Sequence, residues 1–462
     1  MAPPAERTRT PRVARPRLGF TLLGGTQVTL IAAITVITVG LPALQRELGL
    51  GDTDLIFVSA AYGVSFGGLL LLGGRVADLL GHRRMFLFGV SVFGLSSAAA
   101  GLAPGFWPLV AARFVQGVGA ALTAPATMAL LRSVFPDPAR HARALAVWGV
   151  FAGIGATLGN VLSGVIVTWA SWRWVFLLPA AVSLAVAAAA VRLLPPGPPP
   201  ARHRVDMFGA VLVTGGLSVL IAGLARLQAT WILVGVGLLG VFAATQARSS
   251  APLVPPSLLA KPRRAVALVA IALTAACMTV VYFLLALYFQ RIGGYSPLLT
   301  SAAFAPPAVA ILTTGPLSAR LLGRFRPEVV MAFGLLTAAA GLLPLAGLHA
   351  GTAYGGRPLT GLVLFALGAG LSFSAATVCA IDGAGRHQSG LTAGVVNTVM
   401  EIGPPVGLAV LVPIASTHAA ALHDHVPAAA ATAQGYGYAF GVAAVALAST
   451  AGLALLPAHQ RN

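Results

Sequence analysis

Three short runs carry residue types able to do chemistry in an otherwise apolar chain. Arg113 stands in Arg113-Phe-Val-Gln116-Gly117-Val-Gly119, inside a long apolar stretch. A charge at that depth costs roughly 2.5–3.5 kcal/mol on insertion scales, so its presence argues for a role. An arginine is not discharged, so it can hold a nearby carboxylate ionised, or lose that hold when the carboxylate takes a proton. Glu401 is the acid to set against it. Of eleven acids, ten (Glu6, Glu47, Asp52, Asp54, Asp78, Asp137, Asp206, Glu328, Asp382 and Asp424) fall in predicted loops or helix ends. Glu401 lies within an apolar stretch, in Asn397-Thr-Val-Met-Glu401-Ile-Gly403-Pro404-Pro405. A carboxyl in such surroundings can serve as a proton carrier, and the Gly-Pro-Pro after it predicts a break and bend beside a cavity. The other reading is a Glu tied to backbone or hydroxyl, with no part in proton traffic. The third run is Gly74-Arg-Val-Ala-Asp78-Leu-Leu-Gly81-His82-Arg83-Arg84, a tight charged turn between apolar stretches. Asp78 can gain from a neighbouring helix N-terminus or pair with an Arg of an adjacent helix. Such a latch, made and broken, biases one of two packings; the plainer reading is that Arg83 and Arg84 only anchor topology.

Two further signals are weaker. Gly63-Val-Ser65-Phe-Gly67 matches a spacing that can present a serine nucleophile. A nucleophile needs a base within hydrogen-bond reach, and all nine histidines (82, 141, 203, 349, 387, 418, 423, 425 and 459) fall in predicted loops or termini. Ser65 is therefore read as part of a packing face, with an intramembrane serine hydrolase as the competing class and no enzyme expected. The run His418…His423-Asp424-His425 offers three imidazoles and a carboxylate without a fixed geometry, so it reads as a solvated loop rather than a metal site. The single lysine, Lys261, is followed by Pro, which excludes the usual phosphate loop. No cofactor is expected, and energy must come from a gradient, here of protons.

The elements that position these residues follow from composition. Of 462 residues, 57% are hydrophobic and 9% charged, against about 25% charged in an ordinary soluble protein. Mean hydropathy is +0.88. The surrounding solvent must be largely lipid. The net charge of +18 sits in short connections between apolar segments rather than on one patch, which argues against nucleic acid as a partner. A membrane-spanning helix takes about 20 mostly apolar residues. Such stretches lie near 18–42, 55–74, 84–103, 106–131, 142–168, 173–194, 207–226, 229–247, 265–288, 298–322, 328–348, 358–381, 390–416 and 434–457. One set of connections is rich in arginine, including Arg75, Arg83, Arg84, Arg132, Arg140, Arg143, Arg192, Arg248, Arg263, Arg264, Arg320, Arg324 and Arg326. The alternate set holds only Arg46, Arg173, Arg226, Arg291 and Arg357. Cytoplasmic loops carry the Lys/Arg excess, which places both termini inside. Cys277 and Cys379 read as buried small hydrophobes with no disulfide framework. Residues 1–17, rich in Pro and Arg, read as a disordered cytoplasmic segment, and no removable signal peptide is expected.

In this order, Gly74–Arg84 and Arg113–Gly119 resemble the two strongest signatures of the major facilitator superfamily of transporters. Gly315-Pro-Leu-Ser-Ala-Arg320-Leu-Leu-Gly323-Arg324 is a degraded echo of the first, without the Asp. The fifth stretch, Gly149-Val-Phe-Ala-Gly153-Ile-Gly155-Ala-Thr-Leu-Gly159-Asn160-Val-Leu-Ser163-Gly164, is a face of small residues suited to close packing. Its spacing resembles the motif that marks exporters in the superfamily, with Asn160 in place of Pro and Ser163 in place of a Gly. Ser171-Trp-Arg-Trp174, Asp206-Met-Phe-Gly209, Gln290-Arg-Ile-Gly-Gly-Tyr295-Ser-Pro297 and Gly390-Leu-Thr-Ala-Gly394 then look like the fourteen-helix drug:proton antiporter family, whose two extra helices sit between the bundles. That family typically carries an Asp in the first span. Here Ala33 stands at its place, and Leu79 stands where the first signature usually has Arg.

The resemblance implies an all-α polytopic membrane protein with the major facilitator fold: two six-helix bundles plus two extra helices, about fourteen transmembrane helices. The expected division is 18–195 for the first bundle, 196–248 for the Pro-rich linker and two inserted helices, 249–457 for the second bundle, and a cytoplasmic tail at 458–462. It implies a monomer in the cell membrane that exports a small amphipathic drug, antibiotic or secondary metabolite by proton antiport with alternating access. A metabolite importer or facilitator of the same fold is the alternative. Proton coupling would fall to Glu401, Arg113 and Asp78, and the latch to Gly74, Asp78, Gly81, Arg83 and Arg84. Export-motif packing would fall to Gly149, Gly153, Gly155, Gly159, Asn160 and Gly164. Gln27, Tyr62, Gln116, Asn160, Tyr282 and Asn397 are candidate hydrogen-bonders in a substrate cavity.

Overall fold

The computed structural model describes residues 16–194, 206–249, 252–382 and 389–456. The basic N-terminal segment, the Pro195–Pro200 connector and the C-terminal tail lie outside the described residues, as do Arg202, Arg204 and Arg386. The first helices are α1 (Pro16–Leu48), α2 (Asp52–Leu80), α3 (His82–Gly101), α4 (Phe106–Val134), α5 (Pro138–Trp169) and α6 (Trp174–Leu193). Then come α7 (Met207–Ala225), α8 (Ala229–Arg248), a short α9 (Pro256–Leu259) and α10 (Pro262–Leu287), which ends in a π turn, Tyr288–Ile292. The rest are α11 (Pro297–Ala303), α12 (Ala305–Leu322), α13 (Pro327–Ala346), α14 (Arg357–Ile381), α15 (Ser389–Leu422) and α16 (Ala428–Leu455). Among the described residues, thirteen helices are long and apolar enough to cross a membrane by length and composition, with α10 and its π turn counted as one and α11 with α12 as another. Helix α5, with an apolar part at Gly153–Trp169, brings the number to fourteen.

The ends of these helices carry local signals. Gly81 takes φ 94° between α2 and α3, a conformation cheap only for glycine. Asp137 caps α5 by accepting from the Arg140 N–H at 2.8 Å, with Pro138 opening the helix, and Ser296 caps α11 from Leu299 N–H at 3.2 Å ahead of Pro297. We call the end of the bundle where α1 begins the near end and the opposite one the far end.

Helices α1–α6 pack among themselves, as do α10–α16. Lipid tails are as apolar as the side chains, so close approach through small residues supplies much of the association. In the first group a Cβ at Gly89 would lie 2.9 Å from the Gly119 carbonyl, bringing α3 onto α4; in the second, one at Gly341 would lie 2.8 Å from the Gly361 carbonyl, bringing α13 onto α14. Two long contacts cross between the groups, α2 on α15 and α5 on α11. Helix α7 lies on both α2 and α15, and α8 packs on α7.

The tenth stretch is one span, Pro297–Leu322, built of two helices that meet at Phe304, just before Pro306 and Pro307, which lack backbone N–H groups. Two sequence expectations change here. The expected break at Gly403-Pro404-Pro405 is absent: α15 runs through it to Leu422, held between α2 and α10. His418 consequently lies in that helix rather than in a loop, with its ring stacked on Tyr438 at 4.3 Å.

Candidate functional site

Arg113 is 1% exposed at the centre of the first group. Its Nη1 donates to Gln116 Oε1 at 2.6 Å, Gln116 Nε2 donates to Ser97 Oγ at 2.8 Å, and Ser97 Oγ donates to the Phe176 carbonyl at 3.0 Å. This chain has one direction, which sets the orientation of the Gln116 amide. The guanidinium also reaches the carbonyls of Ala33 and Val58, each at 3.4 Å, and lies over the rings of Tyr62 and Phe176 at 4.8 and 5.8 Å. Arg113 thus joins α1, α2, α3, α4 and α6. Carbonyl dipoles and aromatic faces surround the charge here. Among the described residues, no ion pair joins it to a carboxylate. The backbone of Ala33, where a first-span acid is usual in the resembled family, supplies one of those acceptors.

Glu401 lines a small cavity with walls from both groups: Thr38 on α1, Ser59 and Tyr62 on α2, Thr279 on α10, and Pro404 and Pro405 beside Glu401 on α15. The Ser59 hydroxyl is buried without a hydrogen-bond partner. Tyr62 connects the two centres: its ring lies over Arg113, it lines the Glu401 cavity, and its hydroxyl donates to the Leu30 carbonyl at 3.3 Å. At about 40 Å³ the cavity brings together one carboxyl, several hydroxyls and an apolar wall, a set suited to a proton and a water rather than to a drug-sized molecule in this conformation.

Other candidates fall elsewhere. Tyr282 packs its ring on Phe304 at 4.8 Å and is not in the cavity wall. Gln27 is partly exposed on α1, and Asn397 is exposed one turn before Glu401. Ser65 is buried, with its hydroxyl 2.7 Å from the Phe114 carbonyl and 3.0 Å from that of Ala61. That geometry packs α2 on α4; the flanking Gly63 and Gly67 face α15, and no base is among its hydrogen-bond partners. Asp78 pairs with His82 at 2.9 Å on the exposed near end, while Arg83 donates to the Val191 carbonyl at 2.5 Å and Arg84 is exposed. Gly74 has room for a side chain, whereas Gly73 meets the Ala121 backbone and has none.

The small-residue face of α5 has two sides. Gly155 and Gly159 meet α1, where Cβ atoms would lie 2.9 Å from the Val28 carbonyl and 2.8 Å from the Ala32 carbonyl. Gly153 faces Leu312 of α12, Gly164 meets Pro297 and Ser301 of α11, and the Asn160 carbonyl accepts from Ser301 Oγ at 2.7 Å. Gly149 also lies on α5, but its surroundings are outside the described residues. Among the described residues, no group of three or more His, Cys, Asp or Glu could hold a metal, and Cys277 and Cys379 are free and buried. Sequence reasoning missed Thr38, Ser59 and Thr279. Lone hydroxyls on apolar helices carry no spacing signal, and only the contact between α1, α2, α10 and α15 brings them together.

Comparison with known proteins agrees with this architecture. Residues 23–408 match the Major Facilitator Superfamily. The chain is similar to the puromycin resistance protein pur8 of Streptomyces alboniger, 36% identical over 420 residues that cover 88% of this chain and 83% of that protein. It is also similar to the cephamycin export protein CmcT of Amycolatopsis lactamdurans, 36% identical over 393 residues, 82% of this chain and 81% of that protein. Among solved structures, the inward-facing, unoccupied form of a bacterial homologue of the human lysosomal transporter Spinster superposes with a TM-score of 0.70 over 96% of each chain at 15% identity. That last likeness concerns the fold alone.

Proposed function

This chain belongs to the major facilitator superfamily, and from that premise we propose that it exports small amphipathic compounds (drugs, antibiotics or secondary metabolites) by proton antiport with alternating access. The observation that carries the reading is the Glu401 cavity, one carboxyl in an apolar chamber walled by both helix groups. The direction of transport draws on the relatives, two of which are named for resistance to or export of an antibiotic. In this reading residues 18–195 and 249–457 are the two moving bundles. The protein works as a monomer in the cell membrane, with both termini cytoplasmic as the arginine asymmetry implies.

Glu401 takes a proton when its cavity opens outward and releases it inward, and substrate binds beside the free carboxyl only where the parted bundles widen that cavity. Arg113 holds the first bundle together and sets a positive potential beside Tyr62, which forms a common wall. One proton moving inward supplies about 2.3 kcal/mol per 100 mV and about 1.4 per pH unit, and about 1.4 kcal/mol supports a tenfold concentration ratio. One midmembrane acid and one buried cation fit neutral, weakly acidic or monocationic substrates, and sustained efflux of dications by the intact protein would contradict this.

The test is substrate-driven proton movement in liposomes across a panel of lipophilic compounds, with wild type beside Glu401→Gln. The wild type should move protons in exchange for compound, and the variant should bind without moving protons. Equal transport by both would remove Glu401 from the coupling step.

A further inference from the structure

Helix α15 carries Glu401 on one face and borders a second, larger cavity with the other. Glu401, Pro404 and Pro405 line the small chamber, whereas Gly403 and Gly407 line a groove of about 490 Å³ between α10, α15 and α16. Gly403 stands about 200° round the helix from Glu401, at 3.6 residues per turn. The two glycines let α10 come close, since a Cβ at Gly407 would lie 2.9 Å from Ala276 Cα, and Val442 and Ala446 form the α16 wall. Among the described residues, every side chain that lines this groove is apolar or a glycine. Val269 and Val410 on its rim are exposed, so it opens sideways to the surface of the helix bundle. That surface meets lipid.

Toward the far end the groove runs into a polar lip. It shares Val442 with a shallow pocket lined by His418 of α15 and by Gln434 and Tyr438 of α16, where the His418 and Tyr438 rings stack at 4.3 Å. His418 lies just past the apolar stretch near 390–416, and Gln434 and Tyr438 lie within the first residues of the one near 434–457. Tyrosine is enriched at that level, where an apolar ring and a polar tip meet different media. Imidazole, amide and phenol all offer hydrogen-bond donors. Among the described residues, no acid lines either pocket. From Gln434 to Ala446 the α16 wall rises about 18 Å, close to half of a hydrocarbon core about 30 Å thick.

We propose that this furrow holds one phospholipid of the far leaflet, with its phosphate at His418, Gln434 and Tyr438 and one acyl chain running past Val442 to Gly403. Three features select a lipid as the occupant. The groove opens into the medium that acyl chains fill, its length matches one leaflet, and its polar groups gather at one end as donors without a carboxylate. The chain then stands behind the helix that carries Glu401 and packs where α10 and α16 leave α15 uncovered. The site is separate from the Glu401 chamber and does not rest on the antiport reading.

The full chain, purified in mild detergent and stripped of lipid, is titrated with palmitoyl-oleoyl phosphatidylglycerol and, separately, with the matching diacylglycerol. Bound copies are counted by native mass spectrometry. Wild type should keep one phospholipid more tightly than any other copy. Ala446→Phe, or Val410→Trp should the first misfold, fills or covers the groove and should weaken that copy several-fold. Gly237→Phe on α8, where nothing lies within 4 Å, should leave it unchanged. Gln434→Ala with Tyr438→Ala should weaken phosphatidylglycerol more than diacylglycerol. Equal retention by wild type and a folded groove variant overturns the site, and equal loss of both lipids overturns the place of the phosphate. Displacement of the tight copy by the lipophilic cation tetraphenylphosphonium would make the furrow a cargo site and also overturn the proposal.

Discussion

At the scale of single residues, the buried cation defines the first bundle. Arg113 is held by a directed chain through Gln116 and Ser97 to the Phe176 carbonyl, so removing the middle member strands a charged donor. Gln116→Leu is expected to cost about 1–3 kcal/mol, the usual penalty for an unsatisfied buried group, read as a lower thermal midpoint of the purified protein. Tyr62→Phe keeps the ring over Arg113 and removes only the hydroxyl, whose bond to Leu30 is long at 3.3 Å. That variant should lose less stability than Gln116→Leu and, where the bundles part around Glu401, should weaken substrate binding there, as measured by ligand-dependent thermal shift. Equal stability losses would deny Gln116 its place as the middle link. Arg113 and Glu401 stand out in the sequence because a charge among apolar residues needs a reason, whereas Ser59 and Thr279 give no such sign.

At the scale of elements, glycine positions decide how closely helices approach. Gly159 lies where α5 meets α1, with the Ala32 carbonyl 2.8 Å from the site of a Cβ, while Gly237 on α8 has nothing within 4 Å. Gly159→Leu should force the helices apart at about 1–3 kcal/mol and reduce the monodisperse peak in fluorescence size-exclusion chromatography. Gly237→Ala should be neutral or stabilise by about 0.5–1 kcal/mol in the same assay. Losses of similar size in both variants would show that helix–helix approach is not what Gly159 provides. The density of small residues on α5 is legible in the sequence, but not its division between α1 and α11, which depends on the angles at which three helices meet.

At the scale of the whole molecule, the arginine asymmetry and the alternation of helices predict which end faces which compartment. Arg84 is exposed at the near end and Leu102 is 70% exposed at the far end. With Cys277 and Cys379 replaced by Ala, Arg84→Cys should react with a membrane-impermeant maleimide only in inverted vesicles, and Leu102→Cys only in right-side-out vesicles. Labelling of both from one side would reverse or break the assigned orientation. The two inserted helices take unequal places: α7 is packed into the α2–α15 seam, and α8 presents most of its surface outward.

The sequence by itself determined the solvent of this protein, the number of its spans and the family they belong to. Each follows from composition, apolar length or a short local motif. It also singled out Arg113, Glu401 and Asp78, because charges in or beside lipid are costly wherever the chain goes. The tertiary structure decided the partners: His82 rather than an arginine for Asp78, a carbonyl of Ala33 for Arg113, and Pro405 against Gly63 across more than three hundred residues of chain. The reason is physical. Span length and charge are properties of a segment, whereas contacts between helices depend on which faces fit once all the segments share one membrane.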